Sequence, residues 1–275
     1  MAACKYCGEK AGFLSNKHYF CELKYKQGKQ RVAQMVEYIL RNGGEFSSLK
    51  KRIKEIAISS AVRLQELDAI YIKTFNKAVN SLIEEGHFTE AIEDRIAEFQ
   101  QAFQLSQEML DQDGTLKRVA KLSIIRDLDK GLIPEPRMVV ESYLPFHLQN
   151  TEQLIWIFND VECYKQNPNL QADTSLRMLG KNEKRHYYRK VDEKSETVKM
   201  VQMQHMGDGT CALTNEHVYF TSGNKKYKLK INNIASTEAF KDQISLFREG
   251  FDSDAQLFKN IDGVFMYNAI NRLIS

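Results

Sequence analysis

The feature that most limits the fold is a change of hydrophobic period partway along the chain. Up to Lys130 the apolar residues recur every three or four positions; after Pro145 they fall in short dense or alternating runs. The first spacing is that of one face of a helix and the second that of strands. Pro134 and Pro136 lie between them and prevent a helix from continuing. A chain of 275 residues is too long for one small core. The pattern therefore predicts an α+β protein of two or three units, with a helical bundle or stalk followed by a C-terminal antiparallel β barrel capped by a helix. A short N-terminal knuckle precedes them, marked by three of the five cysteines within the first 21 residues. Apolar residues at 43% and charged residues at 27% fit ordinary globular units, with only four prolines and fourteen glycines for linkers.

Residues 24–136 read as helices. The first covers Lys24 to Leu40, with Val32, Val36, Ile39 and Leu40 on one face, and Gly43-Gly44 ends it. A single long helix is predicted over about 47–85, its stripe running from Leu49, Ile53 and Ile56 to Phe75, Val79 and Leu82. At 1.5 Å per residue it would be roughly 60 Å long and would have to lean on other helices or, as a coiled coil, on a second chain. The mixed sizes in the stripe favour a bundle within one chain. Thr89 can cap a further helix to about Leu110, and Thr115 to Lys130 forms the next, with Gly131 as its C′ residue. The turn at Asp111-Gln112-Asp113-Gly114 lacks the later oxygen ligands of a calcium loop.

Residues 1–23 carry the strongest short motif. Cys4-Lys5-Tyr6-Cys7-Gly8 places two thiolates on one tight turn, and His18-Tyr19-Phe20-Cys21 adds a nitrogen and a third sulfur. Cys4, Cys7, His18 and Cys21 make a set suited to Zn²⁺, and so small a segment would need the ion to fold. An H-x2-C turn reaches less predictably than a second C-x2-C, so His18 is the weaker ligand. The competing reading is three reduced cysteines in a frayed terminus. The site is read as structural. Cys163 and Cys211 lie in apolar patterns and read as buried small side chains.

Residues 144–275 carry the strands. Leu154 to Val161 is a dense apolar run containing Trp156, the only tryptophan. Shorter runs follow at His186–Val191, Val198–Met206, Thr210–Thr214, His217–Thr221, Lys225–Leu229 and beyond, and Asp262-Gly263 opens a closing amphipathic helix. Here the chain resembles the pleckstrin-homology-like superfamily in its bacterial, GRAM-type branch. The resemblance is carried by Cys211 to Phe220, by Tyr227 to Ile234, and by Phe258, Asp262 and the helix to Leu273. It implies the capped barrel, and a range of ligands from phosphoinositides to peptides and protein surfaces. With the knuckle and the helical middle, the whole is similar to a group of bacterial and phage-borne proteins.

Charge is unevenly spread. Residues 1–60 carry 12 Lys and Arg against 5 Asp and Glu, and residues 61–135 carry 9 against 14. The two can neutralise each other, or the basic front can meet a polyanion. Candidate phosphate contacts are Lys24, Lys26, Lys29, Arg31, Lys50, Lys51, Arg52 and Lys54. Candidate anionic-ligand residues are Lys181, Lys184, Arg185, Arg189, Lys190, Lys225, Lys226, Lys228 and Lys230. The loop after the first predicted strand holds only Lys165, unlike a typical phosphoinositide reader. No nucleophile–base pair, phosphate-binding glycine loop or H-E-x-x-H motif is evident, and Cys211 with His217 lacks an orienting third group. The reading is a non-catalytic scaffolding or protein-interaction protein, cytoplasmic, bound to a protein partner or to its own copies, with no small-molecule substrate. The alternative is recruitment to an anionic membrane surface or nucleic acid. No apolar run follows the Met-Ala-Ala-Cys start as in a secretory signal, and none is long enough to span a bilayer.

Overall fold

The computed structural model describes the chain except residues 1, 13–14, 136, 138–143, 172–185, 192–197, 249–254 and 275, and it describes no side chains between 167 and 202. The chain divides into two compact units, Met1–Ser123 and Ile124–Ser275.

The first unit is helical: α1 (Tyr19–Asn42), α2 (Phe46–Ser59), α3 (Leu67–Glu84), α4 (Glu90–Phe103), the single turn α5 (Gln107–Leu110) and the start of α6 (Thr115–Asp129). Its core joins Val32, Val36 and Leu40 of α1, Leu49 and Ile53 of α2, Phe75 and Val79 of α3, and Ile96 and Phe99 of α4. Phe75 and Phe99 stack at 5.5 Å. The long helix expected over about 47–85 is instead two helices. α2 ends where Ala61 takes a left-handed conformation, φ 56°, and Val62 N–H donates to the Ala57 carbonyl. That is the Schellman closure, here without glycine. Glu66 then accepts from Arg63 N–H at 3.1 Å and starts the next turn, a 3-10 helix over Leu64–Glu66. The reversal is packed in place: a Cβ on Gly28 of α1 would lie 2.0 Å from Ser60 Oγ. The helix expected from Thr89 to Leu110 also breaks, at Gln104 with φ 53°. α1 begins earlier than Lys24, so it carries Cys21 in its first turn.

The second unit holds an antiparallel sheet and a helix. The strands are β1 (Leu154–Gln171), β2 (His186–Val191), β3 (Val198–Thr214), β4 (His217–Ser222), β5 (Lys225–Lys230), β6 (Ile234–Phe240), β7 (Gln243–Arg248) and β8 (Ala255–Lys259), followed by α7 (Gly263–Ile274). Their order is β5-β4-β3-β1-β8-β7-β6, with β2 also on β3. The expected barrel is therefore corrected. β5 and β6 are the two ends of this order, and among the described residues no ladder joins them, whereas a barrel must close its hydrogen bonding completely. The chain passes from one end to the other through a 3-10 turn at Ile231–Asn233 instead of pairing them. Val198–Met206 and Thr210–Thr214, read as separate strands, are one strand, β3.

The sheet buries Phe158, Val161, Leu213, Phe220, Ile244, Leu246 and Phe258 with Phe265, Met266 and Ile270 of α7. Trp156 meets Phe265 edge-on at 5.4 Å, so the only tryptophan anchors the capping helix. α7 also starts hard against the β6–β7 turn: a Cβ on Gly263 would lie 2.0 Å from the Gln243 carbonyl oxygen.

Candidate metal centre

A short loop builds the site. Ala3 bridges Lys10, Cys4 N–H donates to Glu9 O at 2.7 Å, and Gly8 N–H donates to Cys4 O at 2.8 Å. This folds Cys4 and Cys7 onto one turn, which Gly8 completes with φ +78°, a conformation glycine adopts without strain. Lys5 N–H donates to Asn16 O and returns the following segment to the turn. His18 is the N-cap residue of α1, and Cys21 lies three positions on, so one helical turn presents both on the same side.

The Cys4, Cys7, His18 and Cys21 donor atoms all lie within 4.8 Å of one another, and together they could hold a metal ion. His18 Nδ1 stands 3.4 Å from Cys7 Sγ and 3.7 Å from Cys21 Sγ. Its other nitrogen, Nε2, is 3.1 Å from the Lys10 carbonyl oxygen, an acceptor that leaves Nδ1 free for the sulfurs. The backbone N–H of His18 donates to Cys4 Sγ at 3.4 Å. Burial pushes the Cys4 thiol up, but the N–H groups of Cys7, Tyr6 and His18 outweigh it and lower it from 9.0 to about 6. Cys21 moves the other way: burial first, then the neighbouring Cys7 and Cys4 sulfurs, push it up to about 11. Thiolates this close do not all ionise without a cation among them.

The candidate basic residues do not converge in the same way. Lys26 pairs with Glu22 at 3.1 Å, and Lys29 is held by Tyr25 and Glu66. Lys50 donates to the Ala102 carbonyl at 2.6 Å. Lys24 and Arg31 are exposed on α1, and Lys51, Arg52 and Lys54 on α2. Lys181, Lys184 and Arg185 lie outside the described residues; Arg189 and Lys190 fall on β2. Lys226, Lys228 and Lys230 alternate with the more buried Tyr227 and Leu229 on β5. β5 ends the strand order, and lysines on an edge strand oppose edge-to-edge pairing. Lys228 also stands 5.0 Å over the Tyr219 ring.

A second polar cluster escaped the sequence reading. Glu152, its side chain fully buried, accepts from Tyr219 Oη at 2.6 Å, from Gln149 N–H at 2.7 Å and from His217 Nδ1. Thr214 Oγ accepts from Glu216 N–H and His217 N–H at 3.2 and 2.8 Å. Burial pushes the Glu152 carboxyl up, but the bonds from Gln149, Tyr219 and His217 outweigh it and hold it below the usual range. Glu152, Glu216 and His217 also have metal-ligand proximity. The only advance signal was Thr214, three residues before His217 in a turn; Glu152 is remote in sequence and nothing local marks it. His217 thus faces Glu152, while Cys211 is fully buried opposite Phe220, its thiol pushed up by burial.

Among the described residues no helix is long and apolar enough to cross a membrane. No protein-family model matches the chain, and no curated protein matches it.

Proposed function

We propose that this is a non-catalytic recognition protein that holds partners together, with a structural Zn²⁺ ion bound by Cys4, Cys7, His18 and Cys21. The observation that carries the reading is a complete set of four protein donors. Tetrahedral zinc with bonds of about 2.3 Å to sulfur and about 2.0 Å to nitrogen needs S···N separations of about 3.5 Å. Those from His18 Nδ1 are 3.4 and 3.7 Å. Four protein ligands leave no position for a reacting water or substrate, which is the arrangement of structural zinc. Among the described residues between 2 and 18 the buried apolar side chains are those of Cys4 and Ala11, so the ion would supply much of the order of this loop.

Substitution of Co²⁺ for Zn²⁺ tests the site. The expected result is one ion per chain, with a tetrahedral thiolate spectrum that added azide or cyanide leaves unchanged at concentrations that do not strip the metal. A spectrum that shifts on adding the anion would mean an open coordination position and would overturn the structural reading. Binding of a polyanion is the second reading. It has one observation in its favour: the exposed face of α1 carries Lys24 and Arg31 without an acidic residue.

A further inference from the structure

Resting on the recognition reading, we infer that the outer face of α1 binds single-stranded nucleic acid, with bases stacking on Phe20 and Tyr38 and phosphates meeting Lys24 and Arg31. Phe20, Lys24, Gln27, Arg31, Gln34 and Tyr38 follow one another at steps of four, three, four, three and four residues. On a helix these steps form a single seam. In α1 all six residues are exposed. Such a seam normally turns inward in an amphipathic helix; here the inward face is a different one, built on Val32, Val36, Ile39 and Leu40.

The two ends of the seam are aromatic. Phe20 is 79% exposed and Tyr38 66%, and Tyr19, 71% exposed, stands edge-on to Phe20 at 5.6 Å. Exposed aromatic rings flanking cations provide the two parts of a single-strand site: sequence-tolerant stacking surfaces and phosphate contacts. The charge is complementary as well. The carboxylates of α1 lie off the seam and are engaged, Glu22 by Lys17 and Lys26, and Glu37 by Arg41. Lys24 and Arg31 on the seam also count against a second copy of α1 packing in parallel along it, since like charges would face each other. From Phe20 to Tyr38 the helix rises about 27 Å, room for roughly four to eight nucleotides between extended and stacked spacing.

Fluorescence anisotropy of labelled oligothymidylate with the zinc-loaded full chain tests the proposal. At low salt an oligomer of about twelve nucleotides should bind saturably and more tightly than one of about three. Two phosphate contacts predict a log–log salt slope of about −1.4. Phe20→Ala and Tyr38→Ala should each weaken binding roughly tenfold, and Lys24→Glu with Arg31→Glu should abolish it. All four residues are exposed, so the variants should keep their zinc and their melting temperature. Absence of saturable binding at low salt overturns the proposal, as does affinity unchanged in Phe20→Ala and Tyr38→Ala, or equal affinity for a duplex. Sedimentation showing a dimer that Tyr38→Ala dissolves, without oligonucleotide binding, assigns the seam to a second copy and also overturns it. The cobalt spectrum on the same sample keeps failure of the metal reading separate from failure of this one.

Discussion

Two groups of ligand-type side chains in this protein solve opposite problems. The Cys4, Cys7, His18 and Cys21 donors face one another, with thiols driven apart in acidity to about 6 and about 11, and together they could hold a metal ion. The Glu152 group contains its own donors: a phenol, an imidazole and a backbone N–H converge on one buried carboxylate. Proximity of ligand atoms is common to both. What separates them is whether neighbouring donors already complete the set, as they do around Glu152.

Metal removal should break the comparison most visibly. A strong chelator under reducing conditions, or Cys4→Ser, should release the ion and leave the loop before α1 without its main source of order. Limited proteolysis should then gain cuts ahead of Tyr19, with the pattern of cuts after it unchanged. Equal protection of the loop with and without metal would remove the distinction between the two clusters.

Glu152→Ala is the matching experiment in the self-satisfied cluster. It leaves the buried Tyr219 hydroxyl and His217 ring nitrogen without their acceptor and should cost about 3 kcal/mol in thermal or denaturant unfolding. Glu152→Gln keeps an acceptor oxygen and should cost less. The carboxyl is lowered in the folded state, so its contribution is complete above the ordinary value of 4.5 and is lost as pH falls through the lower folded value. Glu85 adds a loss with the same sign: hydrogen bonds from Arg41, then Ser81, hold it at about 2. Melting temperature measured from neutral pH down to about 3 should fall, and fall less steeply in Glu152→Gln. A parallel fall in both proteins would show that Glu152 does not contribute.

Gly263→Ala probes the same unit through packing. The added methyl would overlap the backbone oxygens of Gln243 and Phe240, at 2.0 and 2.4 Å. Because backbone atoms have to move, a loss of about 1–3 kcal/mol is expected. A melting temperature equal to the parent's would show that α7 docks loosely.

Legibility in the sequence followed local chemistry. The metal cluster could be read because Cys4-x2-Cys7 and His18-x2-Cys21 are local pairs whose spacing already implies convergence. The helical front and stranded back were equally plain from period. Barrel closure was not, because strand runs specify faces and leave open whether β5 and β6 meet. Glu152 was missed for the same reason: its partners Tyr219 and His217 lie more than 60 residues away in sequence. The aromatic ends of the α1 seam were visible as letters, but their exposure depends on which face the core occupies.

The break between α2 and α3 is the finest case, because the usual signal is missing. A left-handed residue closing a helix is normally glycine, and here it is Ala61 at φ 56°, followed by Val62 N–H donating to Ala57. The stripe of apolar residues continues on both sides, so periodicity alone reads straight through the turn. If the turn is imposed by Ser60 packing on Gly28 and by the Glu66 bond to Arg63, alanine is held there at a steric cost that glycine would relieve. Ala61→Gly should then raise stability by up to about 1 kcal/mol, net of the greater freedom glycine gains in the unfolded chain. A clear loss on denaturant titration would mean that the Ala61 methyl contributes packing worth more than the strain, and that side-chain contact rather than backbone closure sets the break.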